Sequence, residues 1–174
     1  IAGGRPTARF KTLSSTIEKL RRQPHTRLSQ IQDIVGCRVV VDGLKRQDEV
    51  VSALLEEFPD HVVDDRREHD QDGYRAVHVV VRLGRGTTVE VQVRTEPQNF
   101  WANVCELLAD RLDPAFKYGG GDETLRGALR SYSDAVFESE TITATYGEGI
   151  TELDALLDRL EELGVNAANV RAPL

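Results

Sequence analysis

The chain is poor in the residues from which several kinds of protein are built. It has two cysteines, Cys37 and Cys105, among 174 residues. One falls in an expected buried strand and the other in an expected helix, so they read as reduced core thiols of a cytosolic protein rather than a disulfide framework. No C-x-x-C or H-E-x-x-H spacing occurs, which removes the common zinc arrangements. Apolar runs last only a handful of residues, far short of the roughly 20 that a membrane-spanning helix needs, so no membrane is expected among the partners. There is no G-x-x-x-x-G-K-[ST] loop, so a nucleotide must be held by another route. The chain opens at Ile1 without methionine and without a charged-then-apolar leader, which reads as no signal peptide and as a fragment or a processed start. Internal repeats and low-complexity tracts are lacking too.

What remains is ordinary globular material, 40% hydrophobic and 29% charged, enough for one compact domain with a helical appendage. The net charge of −7 hides an asymmetry. Residues 1–27 carry Arg5, Arg9, Lys11, Lys19, Arg21, Arg22 and Arg27 against the single acid Glu18, so the remainder is more acidic than the total. A general nucleic-acid binder needs a broad positive footprint, which this chain lacks. One basic end suits a small polyanion such as a triphosphate, or simply a solvated helix face.

The chemistry concentrates in two runs, Gly73–Val81 and Val89–Thr95, rich in β-branched residues and separated by Gly84-Arg85-Gly86-Thr87, which reads as a β-hairpin. Tyr74, His78, Glu90, Gln92 and Arg94 recur at spacings of two or four, so each set projects from one face of its strand. A solvated outer sheet face would carry the same pattern. Upstream, Arg9, Lys11, Ser15 and Lys19 follow R-x-K-x-x-x-S-x-x-x-K, with an extended lead-in passing into a helix near Ser14. Ser15 and Lys19, four apart, share a face at a helix N-terminus, a favourable place for an anion. A short helix is expected over Leu28–Asp33, a buried strand over Gly36–Asp42 with Arg38 in its early part, and an amphipathic helix over Gln47–Phe58. His61–Asp65 reads as a short edge strand and 66–72 as a mobile charged loop. Beyond the hairpin, Pro97 opens a helix whose Phe100, Trp101, Val104, Leu107 and Leu108 are expected in the core. Lys117–Gly121 is a break, and two further helices are expected over 122–140 and about 149–164, carrying no identifiable chemistry and offering a packing or oligomer surface.

In this order the segments resemble the synthetase domain of the RelA/SpoT family, the alarmone synthetases. The resemblance rests on Arg9–Lys19, on D-x-x-G-x-R at Asp33–Arg38, on G-Y-R-x-x-H at Gly73–His78, on E-V-Q-V-R-T at Glu90–Thr95, and on F-W-A…E at Phe100–Glu106. It implies an α/β (α+β) fold, a mixed β-sheet flanked by helices and related to nucleotidyltransferases, with residues 1–121 as the synthetase domain and 122–174 as a C-terminal helical extension. It implies transfer of the β,γ-pyrophosphate of ATP to a ribose 3′-hydroxyl, usually that of GDP or GTP, giving (p)ppGpp. No hydrolase domain fits in this length. On that resemblance Asp33 and Glu90 would hold Mg²⁺, with Glu90 as general base, metal ligand or both. Arg9, Lys11, Ser15, Lys19 and Arg38 would bind ATP, and Tyr74, Arg75, His78, Gln92 and Arg94 the acceptor.

The chain departs from the family where members usually read P-K-x-N-G-Y. Here His69, Asp70, Gln71 and Asp72 precede Gly73-Tyr74, and the acids would repel acceptor phosphates unless Arg66 and Arg67 compensate. Asp72 retains the ability to accept hydrogen bonds from a guanine edge. Leu107 stands where a histidine is usual. The departure keeps other acceptors open: an adenosine nucleotide, giving (p)ppApp, or the tRNA 3′ end, as in toxic small alarmone synthetases, with Arg21, Arg22 and Arg27 as the basic patch and an antitoxin as candidate partner. A catalytically silent nucleotide-binding domain is the alternative from another class. The resemblance leaves oligomeric state open, although several small members are homo-oligomers.

Overall fold

Alternating β-branched runs and helix-period apolar stripes become strands and helices in the expected order. The computed structural model describes residues 5–10, 13–22, 24–25, 35–68, 72–84 and 87–162, and from residue 148 onward only the course of the helix. Strand β1 (Arg5–Phe10) leads into helix α1 (Leu13–Arg22), β2 (Val35–Val41), α2 (Leu44–Glu57), β3 (His61–Asp65), β4 (Val77–Arg82), β5 (Thr88–Thr95), α3 (Glu96–Arg111), a 3-10 turn (Pro114–Tyr118) and α4 (Glu123–Glu162). The sheet order is β1-β2-β5-β4-β3. Only β2 and β5 run parallel; the other three pairings are antiparallel. The fold is the expected mixed sheet with flanking helices.

The two-residue side-chain period sorts the sheet into unlike faces. On one face Val39, Val41, Val77, Val79, Val81, Val91 and Val93 bury themselves against Val50 and Leu54 of α2. Each fully buried aliphatic side chain contributes roughly 1.5–3 kcal/mol by leaving water, so this layer holds the sheet to α2. The opposite face carries Arg38, His78, Glu90, Gln92 and Arg94, and pairing aligns them. Arg38 stands opposite Gln92, and Gln92 opposite His78. Glu90 stands opposite Gly36 and Val80 on the next rung.

Two buried polar devices fix where α3 leaves the sheet. Thr95 and Gln98 form a reciprocal capping box: the Gln98 backbone N–H donates to Thr95 Oγ1 (3.4 Å) and the Thr95 N–H donates to Gln98 Oε1 (3.2 Å). Gln47, wholly buried, donates from Nε2 to the Val93 carbonyl (2.9 Å) and to Gln98 Oε1 (3.0 Å). It joins α2, β5 and α3 at one point.

Three expectations change. The two helices expected after residue 121 are one, α4, running from Glu123 to Glu162. The gap between the two expected helices falls on weak helix formers, Thr141 to Gly147. In the structure the hydroxyls of Thr141, Thr143 and Thr145 donate to the carbonyls of Phe137, Ser139 and Thr141 at 2.8–2.9 Å, so their polar groups are satisfied within the helix. On α3, Phe100 and Leu107 are 57% and 54% exposed, and the buried stripe is Trp101, Ala102, Cys105 and Ala109. The Phe100 ring instead packs beside Tyr132 of α4, centroids 5.8 Å apart. Finally, Gly73–Ala76 is an irregular lead-in, and β4 begins at Val77. The expected helix over Leu28–Asp33 lies outside the described residues. No helix among the described residues is long and apolar enough to cross a membrane.

Candidate active site

The polar sheet face gathers five of the expected side chains into one network. Glu90 is held through both oxygens: Oε1 lies 2.9 Å from His78 Nδ1, and Gln92 Nε2 donates to Oε2 at 2.9 Å. Beyond His78, its Nε2 lies 2.7 Å from the Tyr74 hydroxyl. Arg94 Nη2 donates to that hydroxyl at 2.8 Å and to Gln92 Oε1 at 3.0 Å. Strand geometry makes this possible, because Glu90, Gln92 and Arg94 are successive residues on one side of β5 and His78 stands opposite Gln92. His78, Gln92 and Arg94 are all buried, so the network sits in a low-dielectric setting where charge-assisted hydrogen bonds count for more.

A cavity of about 230 Å³ opens beside it. Tyr74 and Arg94 form its sheet side, Trp101 and Glu106 of α3 a second wall, and Arg126 and Leu129 of α4 a third. The rings are mutually tilted: Tyr74 and Trp101 have centroids 6.1 Å apart, and Trp101 Nε1 donates to the Leu129 carbonyl at 2.8 Å. The Arg94 guanidinium stands 5.1 Å from the Tyr74 ring centre, a cation–π contact. Its Nε and Nη1 are buried with no hydrogen-bond partner among the described residues. Cys105, also in the wall, has its thiol pushed up to about 11, first by burial and then by the Glu106 charge, and stays protonated at neutral pH. Cys37 is only half-buried, and burial raises its thiol too, against a backbone hydrogen bond at Thr7.

Of the two acids in the lead-in, Asp70 lies outside the described residues, and Asp72 is neutralised by residues other than those expected to do so. Asp72, at φ 56°, accepts from Arg126 Nη2 (2.6 Å) and Arg130 Nη1 (3.4 Å) of α4. Arg66 and Arg67 are engaged elsewhere, Arg66 with Asp64 (2.6 Å) and Arg67 with Asp65 and Asp48 (2.6 Å each). Gly119 follows the 3-10 turn at φ 75°, and a Cβ there would collide with the Asp72 carboxylate. Glycine is therefore required both for the backbone and for the approach.

Arg75 and Arg38 have partners on the helices. Arg75 is buried under α4: it donates to Ser133 Oγ (3.2 Å), to Asp134 Oδ1 (2.7 Å) and to the Arg67 carbonyl, with its guanidinium 4.4 Å from the Phe137 ring centre. The Ser133 hydroxyl in turn donates to the Gly73 carbonyl (2.6 Å). Arg75 thus anchors the lead-in to α4. Arg38 reaches Glu106 (3.6 Å) and Asn103 (3.5 Å) on α3. Arg9 is registered opposite Gly36, on the rung of Glu90. Ser15 and Lys19 lie on α1, Lys19 half-buried. Lys11 and Asp33 lie outside the described residues. Arg126, Leu129, Arg130, Ser133 and Phe137 were missed by the sequence reading. Their signal is a stripe at three- and four-residue spacing on α4, mixed in polarity rather than apolar.

The mixed sheet carries an acid, an imidazole and a guanidinium on one face, with the Tyr74 ring beside them, and sequence comparison places the chain in a family. Residues 8–108 match the profile described as "Region found in RelA / SpoT proteins", and the chain belongs to that family. It is 32% identical over 171 residues to the GTP pyrophosphokinase YjbM of Bacillus subtilis, covering 88% of this chain and 76% of that protein. It is 41% identical over 129 residues to Rv1366 of Mycobacterium tuberculosis, covering 71% of this chain and 46% of that protein. The chain thus spans about half the length of its mycobacterial relatives. Among solved structures it superposes on small alarmone synthetase 1 from Bacillus subtilis with a TM-score of 0.66 at 27% identity, covering 84% and 80% of the two chains. The same enzyme bound to its product pppGpp gives a TM-score of 0.66 at 26% identity, covering 84% and 78%.

Proposed function

We propose that the site is a pyrophosphokinase centre that moves the β,γ-pyrophosphate of ATP onto the ribose 3′-hydroxyl of GDP or GTP and releases AMP. The observation that carries this reading is Glu90, held by His78 and Gln92 on the sheet face beside an aromatic cavity, in a chain related to a GTP pyrophosphokinase. In-line attack on phosphorus asks the protein for a positioned acceptor hydroxyl, a proton acceptor and positive charge. Glu90 supplies the proton acceptor. The Tyr74 ring supplies a stacking surface for the acceptor base, worth ~1–3 kcal/mol by analogy with bases stacked on aromatic side chains. Arg9, Lys11, Lys19 and Arg38 supply charge for the donor phosphates, Arg38 braced by Glu106.

Magnesium fits the donor set. Glu90 offers a hard carboxylate oxygen donor, and Mg²⁺ takes one or two carboxylates together with substrate phosphates. Asp33, two residues before β2, is the second candidate. Among the described residues no three His, Cys, Asp or Glu side chains cluster as a ready-made site. The ion would neutralise charge developing on the transferring phosphoryl oxygens.

Asp72 favours a guanosine acceptor over an adenosine one. Guanine offers N–H donors along its Watson–Crick edge, where a carboxylate accepts, whereas the adenine ring nitrogen at that edge is itself an acceptor. With Arg126 and Arg130 upon it, Asp72 no longer stands as a bare repulsive charge. The test is γ-labelled ATP with Mg²⁺, offered with GDP, GTP, AMP, ADP or deacylated tRNA, with Glu90→Gln as blank. Label on GDP or GTP alone is expected, with the blank reduced at least about a hundredfold, the scale of a lost general base. Label on tRNA or an adenosine nucleotide would replace the acceptor, and no label with ATP still bound would leave a silent binding domain.

A further inference from the structure

The network around Glu90 closes on itself, and its hydrogen-bond directions are fixed by chemistry. The Glu90 carboxylate only accepts, so His78 Nδ1, 2.9 Å away, carries the proton. In the neutral imidazole Nε2 is then an acceptor, so the Tyr74 hydroxyl donates to it at 2.7 Å. Arg94 only donates, and Nη2 gives one bond to the Tyr74 oxygen and one to Gln92 Oε1. The Gln92 amide then donates to Glu90 Oε2. Two arms therefore run from one guanidinium to the two oxygens of one carboxylate, through Tyr74 and His78 on one side and Gln92 on the other. Every donor in both arms points toward Glu90.

We propose that His78 is a positioning residue in its Nδ1–H tautomer, and that it couples the Tyr74 hydroxyl to the orientation of Glu90. This rests on the reading of Glu90 as the carboxylate that addresses the acceptor hydroxyl. Tyr74 then has two separable parts. Its ring offers the acceptor base a face, and its hydroxyl, turned away into the ring of hydrogen bonds, holds the carboxylate in register with whatever lies on that face. Arg94, 2% exposed, is the root of both arms. The two arms constrain Glu90 about two axes, so losing either loosens the orientation of the carboxylate, which costs rate rather than affinity.

Tyr74→Phe keeps the face and removes only the hydroxyl. It is expected to leave the acceptor KM within about threefold and to lower kcat about tenfold, the cost of one hydrogen bond realised in the transition state. His78→Gln, which cannot reach Glu90 from the Nδ1 position, should lose a similar factor. The double variant should be no slower than His78→Gln alone. His78→Asn places an amide N–H where Nδ1–H stood, and is expected to recover part of what His78→Gln loses. Multiplying losses, equal defects in the Asn and Gln variants, or a Tyr74→Phe defect confined to the acceptor KM would overturn the coupling. Long-range ¹H–¹⁵N correlation on the full chain, with His78 assigned by its Asn variant, reads the ring without turnover. The Nδ1–H tautomer is expected, and Nε2–H would refute the proposal. If the unmodified chain turns over no acceptor, the functional reading fails while the tautomer still decides the ring.

Discussion

Glu140 shows how a residue without obvious chemistry acquires a measurable one from its surroundings. It sits on α4 where the helix crosses the start of α3, and burial raises its carboxyl above the usual range against the smaller, opposing influence of the nearby Thr95 and Gln98. A carboxyl that binds its proton more tightly folded than unfolded weakens the fold as pH rises from the ordinary carboxylate range, about 4.3 for Glu, through the raised value. Glu140→Gln is therefore expected to raise the melting temperature near pH 7, with the gain shrinking to nothing near pH 4. A gain that persists at low pH would mean that packing, not charge, is responsible. The same dependence on distant neighbours explains what was legible at this scale. Tyr74, His78, Glu90, Gln92 and Arg94 could be read as one face from spacing alone, because a strand imposes its period locally. The engagement of Arg75 with Ser133 and Asp134 could not, since its partners lie 58 and 59 residues away. Asp72 is the clearest case: it read as a repulsive charge until two arginines from another element closed on it.

At the scale of elements, what was read correctly is what short-range pattern dictates. The hairpin, the edge strand at His61–Asp65 and the helix that became α2 each carry their period within a few residues. The expected break in the C-terminal helix falls on weak helix formers, yet their hydroxyls bond back to helix carbonyls and α4 runs on through them. Gly127 and Gly147 lie inside α4, and a Cβ at either meets no atom within 4 Å. Gly127→Ala and Gly147→Ala are each expected to stabilise the protein by about 0.5–1 kcal/mol, by removing freedom from the unfolded chain. Denaturant unfolding of each variant measures this. Destabilisation by either would show that the glycine is kept for a close approach absent from this structure.

At the scale of the whole molecule, the sheet divides labour between a dry face that binds α2 and a polar face that carries the site. Charge is divided as well, net positive over residues 1–27 and net negative after them. Such a distribution suits small anionic substrates and not a long polyanion. For a mononucleotide acceptor, raising salt from about 50 to 200 mM is expected to change the acceptor KM by less than about tenfold. A tRNA acceptor gripped at several phosphates would lose on the order of a thousandfold. Initial rates across a salt series therefore separate the acceptor classes independently of the labelling experiment.

The family resemblance covers residues 8–108, and the cavity does not end there. Phe116, Gly119, Arg126 and Leu129 complete its lining from beyond that limit, and Arg126 and Arg130 set the charge of Asp72 within it. The shared segment is in this sense an engine without its fitting. On the proposed reading Glu90, Tyr74 and Asp72 belong to the shared segment, and the wall that closes around them from α4 can be exchanged while they stay. Grafting the segment after residue 111 from a relative of known preference onto this chain would carry the preference with it, and leave the Glu90 chemistry where it is.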